Sequence, residues 1–216
     1  MGKPQDGRPE DGGGRSAAKE QGARQSHPDS VPDRLLSVAT RLFAERGYER
    51  TSVREIVEAA GVTKGAMYHY YASKDDLLFA VYQRVLAMQT RRLEELAEAE
   101  GPIEERLRAA AADVVHTTVE NLEDTVIFQR SLHMLSPERQ SEVRKERRRY
   151  HERFRDMIEE GRQSGAFRTD IPADIVVTQY FGAVHHLGMW YRPDGELSGA
   201  AVGAHFADLL LQSLRP

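Results

Sequence analysis

Hydroxyl, basic and aromatic side chains are concentrated in one segment of the chain, residues 51–78. Within it, Ser52 and Glu55 have the spacing of a capping box, in which each side chain satisfies a free backbone amide at a helix start. Gly61 can adopt the left-handed conformation that ends such a helix, and Thr63 can cap the next one. The pattern predicts two short helices separated by a tight turn, over residues 53–60 and 64–70.

The second of these helices has the size of a helix that lies in the major groove of DNA, where its first residues meet base edges. Val62, Met67 and Tyr71 are expected to face inward. Small and polar residues on the other faces are then able to contact bases or phosphates. The candidate DNA-binding residues are Ser52, Arg54, Thr63, Lys64, Gly65, Ala66, Tyr68, His69, Tyr70 and Lys74.

Some of these candidates have distinct expected roles. Lys74, in the first turn of the helix that follows Ser73, can hold a phosphate together with free helix amides. Arg54 can donate two hydrogen bonds to a guanine, and a phosphate contact is equally compatible with its position. Taken singly, Tyr68 could be a packing aromatic and Arg54 or His69 a solvated surface residue. The interpretation therefore depends on their joint spacing.

Helices with an apolar stripe are predicted on both sides of this segment. One runs from Val31 to Gly47, and a long one starts at Ser73 and ends near Gly101. No segment alternates as a strand does, so the predicted fold class is all-α. Further helices are predicted over residues 103–120, 123–135, 137–164, 172–191 and 199–214.

Composition disfavours several classes of protein. The 216 residues contain no cysteine, so there is no disulfide, thiolate nucleophile or cysteine metal site. The histidines lack ligand spacing, and the sequence has no phosphate-binding glycine loop, nucleophile elbow or HExxH helix. We therefore expect no metal, no cofactor and no enzyme, with a carrier or enzyme on a helical fold as an alternative. The net charge of −4 gives no general sign of nucleic-acid binding, so DNA contacts must come from local placement.

The first 30 residues are rich in glycine, proline and charge, and they predict a disordered tail. Acidic residues match the basic ones there, which disfavours a basic arm that contacts DNA. No apolar run approaches 18 residues, and the start lacks the apolar stretch of a secretory signal. We expect a soluble, cytoplasmic protein that does not associate with membranes.

The segment TSVREIVEAAGVTKGAMYHYYASKDDLL, residues 51–78, resembles the DNA-binding domain of the TetR family of transcriptional regulators. The resemblance implies a repressor with an N-terminal three-helix helix-turn-helix DNA-binding domain over residues 31–76 and a C-terminal helical ligand-binding and dimerisation domain over residues 77–216. It also places Arg54 at a family position that often reaches the groove. The matching features are the Thr51-Ser52 start, the Ala60-Gly61-Val62 turn, the Thr63-Lys64-Gly65-Ala66 helix start, Tyr68 with His69 and Tyr70, and Ser73-Lys74.

A repressor of this kind is expected to be a homodimer that reads a palindromic operator in double-stranded DNA. The last two predicted helices of each subunit would form a four-helix interface, with ordinary core inside one chain as the alternative. The candidate interface residues are Val176, Tyr180, Phe181, Val184, Val202, Phe206, Leu209 and Leu210.

The segment from Gly188 to Gly195, with Leu197-Ser198 after it, resembles a TetR subgroup related to repressors of fatty-acid and steroid degradation. Those regulators respond to acyl-CoA thioesters, so the resemblance implies a small apolar effector of that kind. The run from Arg144 to Arg149 could meet its phosphates, although such a run is usually a solvated helix face. A DNA-binding regulator with no effector is a further alternative. The candidate cavity residues, which could equally be core, are Phe128, Met134, Phe154, Tyr180 and Trp190.

Overall fold

The computed structural model describes residues 30–216, apart from the side chains of Phe128 and Gln129. Residues 1–29 of the predicted tail lie outside the described part of the chain. The described residues form helices and no strand, which confirms the all-α prediction, and none of these helices is long and apolar enough to cross a membrane. The helices are α1 (Val31–Arg46), α2 (Val53–Ala59), α3 (Lys64–Tyr70), α4 (Lys74–Ala97), α5 (Ile103–Glu120), α6 (Leu122–Ser131), α7 (Pro137–Gln163), α8 (Ala173–His185), α9 (Leu187–Trp190) and α10 (Gly199–Ser213).

Helices α1 to α4 pack around a first apolar cluster. Ser30 caps α1 by accepting a hydrogen bond from the Asp33 amide at 3.3 Å, and Gly47 ends α1 with a φ of +85°. The cluster also takes in apolar side chains from α6 and α7, so the first four helices share a core with these later ones. Its members include Leu35, Phe43, Ile56, Met67, Leu77, Tyr82, Ile127 and Val143.

A second apolar cluster joins α5, α7, α8 and α10 with the end of α4. Helices α5 and α10 approach closely, because a Cβ atom added to Gly203 would lie only 2.9 Å from the Ala112 carbonyl oxygen. Fully buried side chains on α5 and α7 complete the packing. These are Leu107, Phe154, Met157 and Ile158.

Two predicted helices differ from those observed. The helix predicted over residues 172–191 is divided at His186 into α8 and α9. The His186 amide donates to the Ala183 carbonyl at 3.2 Å, one residue nearer than in a regular α-helix, while its ring Nδ1 lies 2.8 Å from the Gly182 carbonyl oxygen. The side chain thus replaces the backbone donor. The segment predicted over residues 123–135 ends as a 3₁₀ turn over Leu132–Met134.

Candidate nucleic-acid interface and effector cavity

Helix α2 is fixed at its start by the predicted capping box. Ser52 Oγ accepts a hydrogen bond from the Glu55 amide at 3.2 Å, and the Ser52 amide donates to Glu55 Oε2 at 2.8 Å. Hydrogen bonds that the Ser52 amide and hydroxyl donate to the Glu55 carboxylate lower the pKa of this carboxyl. Arg46, at the end of α1, donates to the other carboxylate oxygen at 3.1 Å. The cap therefore ties α2 to α1, although this exposed pair adds little stability.

Helix α3 follows a tight turn and is anchored on one side. Gly61 has a φ of +63°, and Thr63 caps α3 by accepting a hydrogen bond from the Ala66 amide at 3.1 Å. Met67 is inaccessible to solvent, while Val62 and Tyr71 are half-buried against the first cluster. All three agree with the predicted inward positions. The helix is thus held from behind.

The outer side of α2 and α3 carries most of the DNA-binding candidates, and we call it the reading surface. Tyr68 and Tyr70 each expose 49% of their area, and the ring of His69 packs edge-on against Tyr70 at 4.8 Å. Ala66 is half-buried. Ser52 and Thr63 are exposed, but their hydroxyls are used as caps. The remaining exposed members are Arg54, Lys64 and Gly65.

Lys74 has a structural partner set that the sequence did not reveal. Its Nζ donates hydrogen bonds to the carbonyl oxygens of Tyr48 at 2.9 Å and Thr51 at 3.0 Å, and it lies 4.1 Å from the centroid of the Tyr48 ring. Burial lowers the pKa of Lys74. Two of its three N–H donors therefore hold the α1–α2 loop against α4. We call this arrangement the Lys74 clamp.

Ion pairs connect the start of α4 to α7. Arg139, in the first turn of α7, donates to Asp75 Oδ2 at 2.7 Å and also pairs with Asp76. Burial would raise the pKa of Asp76, but its hydrogen bond and ion pair with Arg139, together with hydrogen bonds to Ser73, outweigh burial and lower the pKa. Because Asp75 and Asp76 directly follow Lys74, α7 is tied to the helix start next to the reading surface.

A second connection lies in the middle of α4. One Arg84 nitrogen donates to Thr40 Oγ1 at 3.2 Å and to Asp124 Oδ1 at 3.0 Å. Asp124 is only 4% exposed, and this burial raises the pKa of its carboxyl. Arg84 therefore links α1, α4 and α6 in one contact.

A cavity of about 140 Å³ lies among α4, α5, α6, α7 and α8. We call it the effector cavity. Its wall is mostly apolar on the α4 and α5 sides, and its charged and imidazole groups are gathered between α7 and the end of α8. Its lining residues are Val85, Leu86, Gln89, Val114, Thr118, Thr125, Arg147, Tyr150, His151, Phe181, Val184 and His185.

The polar side of the cavity combines one arginine with two histidines. An Nη atom of Arg147 lies 3.0 Å from both ring nitrogens of His185, and the ring of His151 stacks on Phe181 at 4.1 Å. Burial, followed by the nearby Arg147 charge, lowers the pKa of His151 to about 4 and that of His185 to about 3. Both imidazoles are therefore neutral near pH 7. No group of three metal-ligating side chains was found within residues 30–216.

An open trough on the α7 surface adjoins the cavity, and we call it the basic trough. Arg147 and His151 line both spaces. Arg155 is accompanied there by Asp174 at 3.7 Å. Of the predicted run from Arg144 to Arg149, Arg149 does not line the trough. The arginines that do are Arg144, Arg147, Arg148 and Arg155.

The structure does not bring the five predicted cavity residues together. Phe154 and Tyr180 stack at 5.2 Å inside the second cluster, and Met134 packs on the first cluster. Trp190 is 50% exposed on α9, and the side chain of Phe128 lies outside those described. None of the four described residues lines the effector cavity, which is formed by other side chains because five helices converge there.

The predicted dimer residues also divide into two groups. Only Leu209, at 65% exposure, and the half-buried Phe206 reach the surface of α10, and neighbouring Ile175 on α8 is 58% exposed. They flank a shallow apolar groove between α8 and α10. The other six are buried in the second cluster of their own chain, because both helices are apolar on more than one side, and three of them, Val176, Tyr180 and Leu210, also line the groove. These six are Val176, Tyr180, Phe181, Val184, Val202 and Leu210.

Comparisons with known proteins match both parts of the chain. Residues 35–81 match the model of bacterial regulatory proteins of the tetR family. Residues 100–214 match the model of the tetracyclin repressor-like C-terminal domain. The transcriptional repressor KstR2 of Mycolicibacterium smegmatis is 30% identical over 198 residues, which cover 86% of this chain and 91% of that protein.

Solved structures show the same similarity. The TetR family regulator PfmR from Thermus thermophilus has a TM-score of 0.77 at 29% identity, covering 85% of this chain and all of that one. The ketosteroid transcriptional regulator KstR2 of Mycobacterium tuberculosis has a TM-score of 0.77 at 26% identity, covering 87% of this chain and 96% of that one. The similarity therefore extends through the reading surface and the effector cavity.

Proposed function

The chain belongs to the TetR family of bacterial transcriptional regulators, and from that premise we propose that it is a cytoplasmic, dimeric repressor that a small apolar molecule releases from its operator. Proteins of this family are DNA-binding regulators and not enzymes. The alternative of an enzyme on a helical fold is therefore set aside.

The reading surface supports the assignment of DNA contacts. Met67 fixes the inner side of α3, so the exposed Lys64, Tyr68 and Tyr70 can be presented to the major groove with little reorganisation. We assign Arg54 to a base or phosphate contact from α2. We assign Lys74 to a phosphate contact through the one N–H donor that its two carbonyl partners leave, because the clamp already holds its ammonium beside the loop.

The outer sides of α8 and α10 support a homodimer. Ile175 and Leu209 expose apolar area beside the groove between these helices, while their buried neighbours hold the helices in place. Pairing this surface with its copy would give a four-helix interface of two-fold symmetry. Such a dimer presents two α3 helices to the half-sites of a palindromic operator.

The proposed class of effector is supported above all by the proximity of the effector cavity to the basic trough. An acyl-CoA thioester combines an apolar chain with anionic phosphates, and these would meet the cavity and the trough respectively. The relation to a ketosteroid regulator is consistent with an apolar effector. A cavity of about 140 Å³ is close to the roughly 150 Å³ that accommodates a benzene-sized molecule. A longer chain must therefore separate the walls, which include α4 and α7.

Wall movement supplies a route to release. Val85 and Thr125 line the cavity, and each is adjacent in sequence to a member of the Arg84–Asp124 pair. Arg139 connects α7 to the first turn of α4. A ligand that prefers a wider cavity would shift the population towards a conformation in which the two reading surfaces no longer match the operator.

The test uses the full-length protein in two steps. Its binding sites are first selected from random double-stranded DNA, and release from the selected site is then followed by fluorescence anisotropy with acyl-CoAs of increasing chain length. We expect palindromic sites and release by at least one thioester. Binding without sequence preference would contradict the repressor. A selected site that no thioester or other apolar compound releases would favour the regulator without an effector.

A further inference from the structure

Arg147 is a half-buried cation without an acidic partner in the described part of the chain. None of the ion pairs among residues 30–216 includes it, and its hydrogen-bond partner is the His185 ring. The imidazole is neutral near pH 7 and can accept a hydrogen bond, but it does not neutralise the guanidinium. Two other arginines near the cavity differ. Arg155 lies near two aspartates, and Arg84 is paired with Asp124.

A charge in this position is costly when the cavity is empty. The cavity wall around Arg147 includes Leu86, Tyr150 and Phe181, which offer no compensating charge. Burying a charge without a counter-ion is unfavourable, and an incoming anion recovers part of that cost through charge-assisted hydrogen bonds. A guanidinium also matches the two oxygens of a carboxylate, to which it can donate in parallel.

We propose that the effector cavity binds the free form of an apolar carboxylic acid, with Arg147 as the counter-ion of its carboxylate. The proposal rests on the proposed function, because it concerns the same cavity, and it adds a second ligand to the thioester. The apolar body of the acid occupies the space beside Val85, Val114 and Val184, and His185 holds the guanidinium at the boundary with the basic trough. Arg147 then determines specificity between charged and neutral head groups.

The size of the cavity limits the body of the acid. Since about 140 Å³ is available, an acid whose apolar body has roughly six carbon atoms enters with little rearrangement, and longer acids must separate the walls. The thioester of the same acid has an uncharged carbonyl at the position of the carboxylate. Its attraction must therefore come from its phosphates in the trough, where Arg144 and Arg148 lie beside Arg147, so acid and thioester compete for one cavity.

The experiment measures binding of three forms of each ligand to the purified full-length protein by isothermal titration calorimetry at pH 7.5. The forms are the free acid, its methyl ester and its CoA thioester, in straight-chain and alicyclic series of six to ten carbons. The variants are Arg147→Met, which removes the charge but keeps an unbranched apolar stem, and Arg149→Met as a matched control, since Arg149 is an exposed residue of α7 outside the trough.

We expect at least one acid to bind the wild type about 10-fold to 100-fold more tightly than its ester, the range of a hydrogen bond to a charged group. Arg147→Met should reduce this preference to less than about twofold while ester binding persists, which shows that the variant is folded. Arg149→Met should keep the wild-type preference. Equal binding of acid and ester by the wild type, a preference that survives in Arg147→Met, or no binding of any acid would each overturn the proposal.

The failure of this proposal and that of the proposed function give different results. If the thioester releases the selected DNA site while the acids do not bind, the counter-ion role of Arg147 is wrong and the repressor stands. If acids bind through Arg147 while no ligand releases DNA, the role of Arg147 stands and ligand-controlled release is wrong.

Discussion

The reading surface and the effector cavity are built from contacts of different range along the chain. Ser52 with Glu55, and Thr63 with Ala66, fix the short helices through capping hydrogen bonds between residues three apart. The cavity instead needs α4 to α8 to converge, so that Val85 and His185 line the same space. The caps can form whenever their helices form, whereas the cavity exists only when long-range packing is complete.

The difference also separates what each region can do. The reading surface has an inaccessible anchor and solvated outer side chains, which suits binding to a fixed shape such as the major groove. The cavity contains a guanidinium and two neutral imidazoles among apolar groups. The stability of this part of the protein therefore depends on which ligand occupies the cavity. Helix α4 belongs to both regions, since Lys74 lies beside the reading surface and Val85 lines the cavity.

The largest expected effect comes from removing the anchor of the reading surface. Met67→Ala should lower the free energy of unfolding by about 2–5 kcal/mol, because the side chain is fully buried and truncation leaves a void. Chemical denaturation followed by circular dichroism measures this loss. Tyr68→Ala, one residue away and half-exposed, should change stability by less than about 0.5 kcal/mol yet weaken DNA binding. Equal losses of stability in the two variants would contradict the division between anchor and surface.

The range of the contacts also explains what the sequence predicted. The short helices and their caps were readable because each signal, such as Ser52 with Glu55, lies within one turn. The lining of the cavity was not, since nothing local distinguishes Phe181 or Val184 at the cavity from Phe154 in the core. Helices α8 and α10 carry apolar residues on more than one side. Hydrophobic periodicity therefore did not distinguish buried Val176 from exposed Ile175. The Lys74 clamp was missed because its partners, Tyr48 and Thr51, offer backbone oxygens that carry no side-chain signal.

Replacing Lys74 tests the longer-range contact that supports the reading surface in addition to its caps. Lys74→Met leaves the Tyr48 and Thr51 carbonyls without their donor, and we expect a loss of about 1–3 kcal/mol in the free energy of unfolding. Binding should weaken on all DNA sequences, with the salt dependence of log K falling by about one. Lys64→Met is the matched control, since it should leave stability unchanged and alter which sequence is preferred. An unchanged salt slope in Lys74→Met would exclude its phosphate contact.

Acid should act on the cavity through its two histidines. The pKa of His151 and that of His185 are lowered to about 4 and about 3 in the folded protein, whereas an unfolded histidine titrates near 6.5. The unfolded chain therefore binds more protons as pH falls through 6.5, and stability must decrease towards the folded-state pKa values. We expect each histidine to contribute about 2 kcal/mol of lost stability between pH 7.5 and pH 5.

Denaturation of two variants at both pH values checks this assignment. The double variant His151→Gln/His185→Gln should lose most of the decrease between pH 7.5 and pH 5. His205→Gln, on the exposed side of α10, should keep it. If the double variant retained the full decrease, the acid sensitivity would have to come from groups outside the cavity.

The smallest effect should be found where the two regions are joined. Arg139→Met removes the ion pairs from α7 to Asp75 and Asp76, which are half-exposed and contribute little to stability by themselves. We expect nearly unchanged affinity for the operator in the absence of ligand, but a coupling between effector and DNA reduced by about 1 kcal/mol. The coupling is obtained from DNA affinities measured with and without saturating effector. Arg91→Met removes an exposed pair within α4 and should leave the coupling as in the wild type. If both variants kept the full coupling, cavity movement would have to reach α3 along α4 and the Arg84 contact, because the α7 connection would carry none of it.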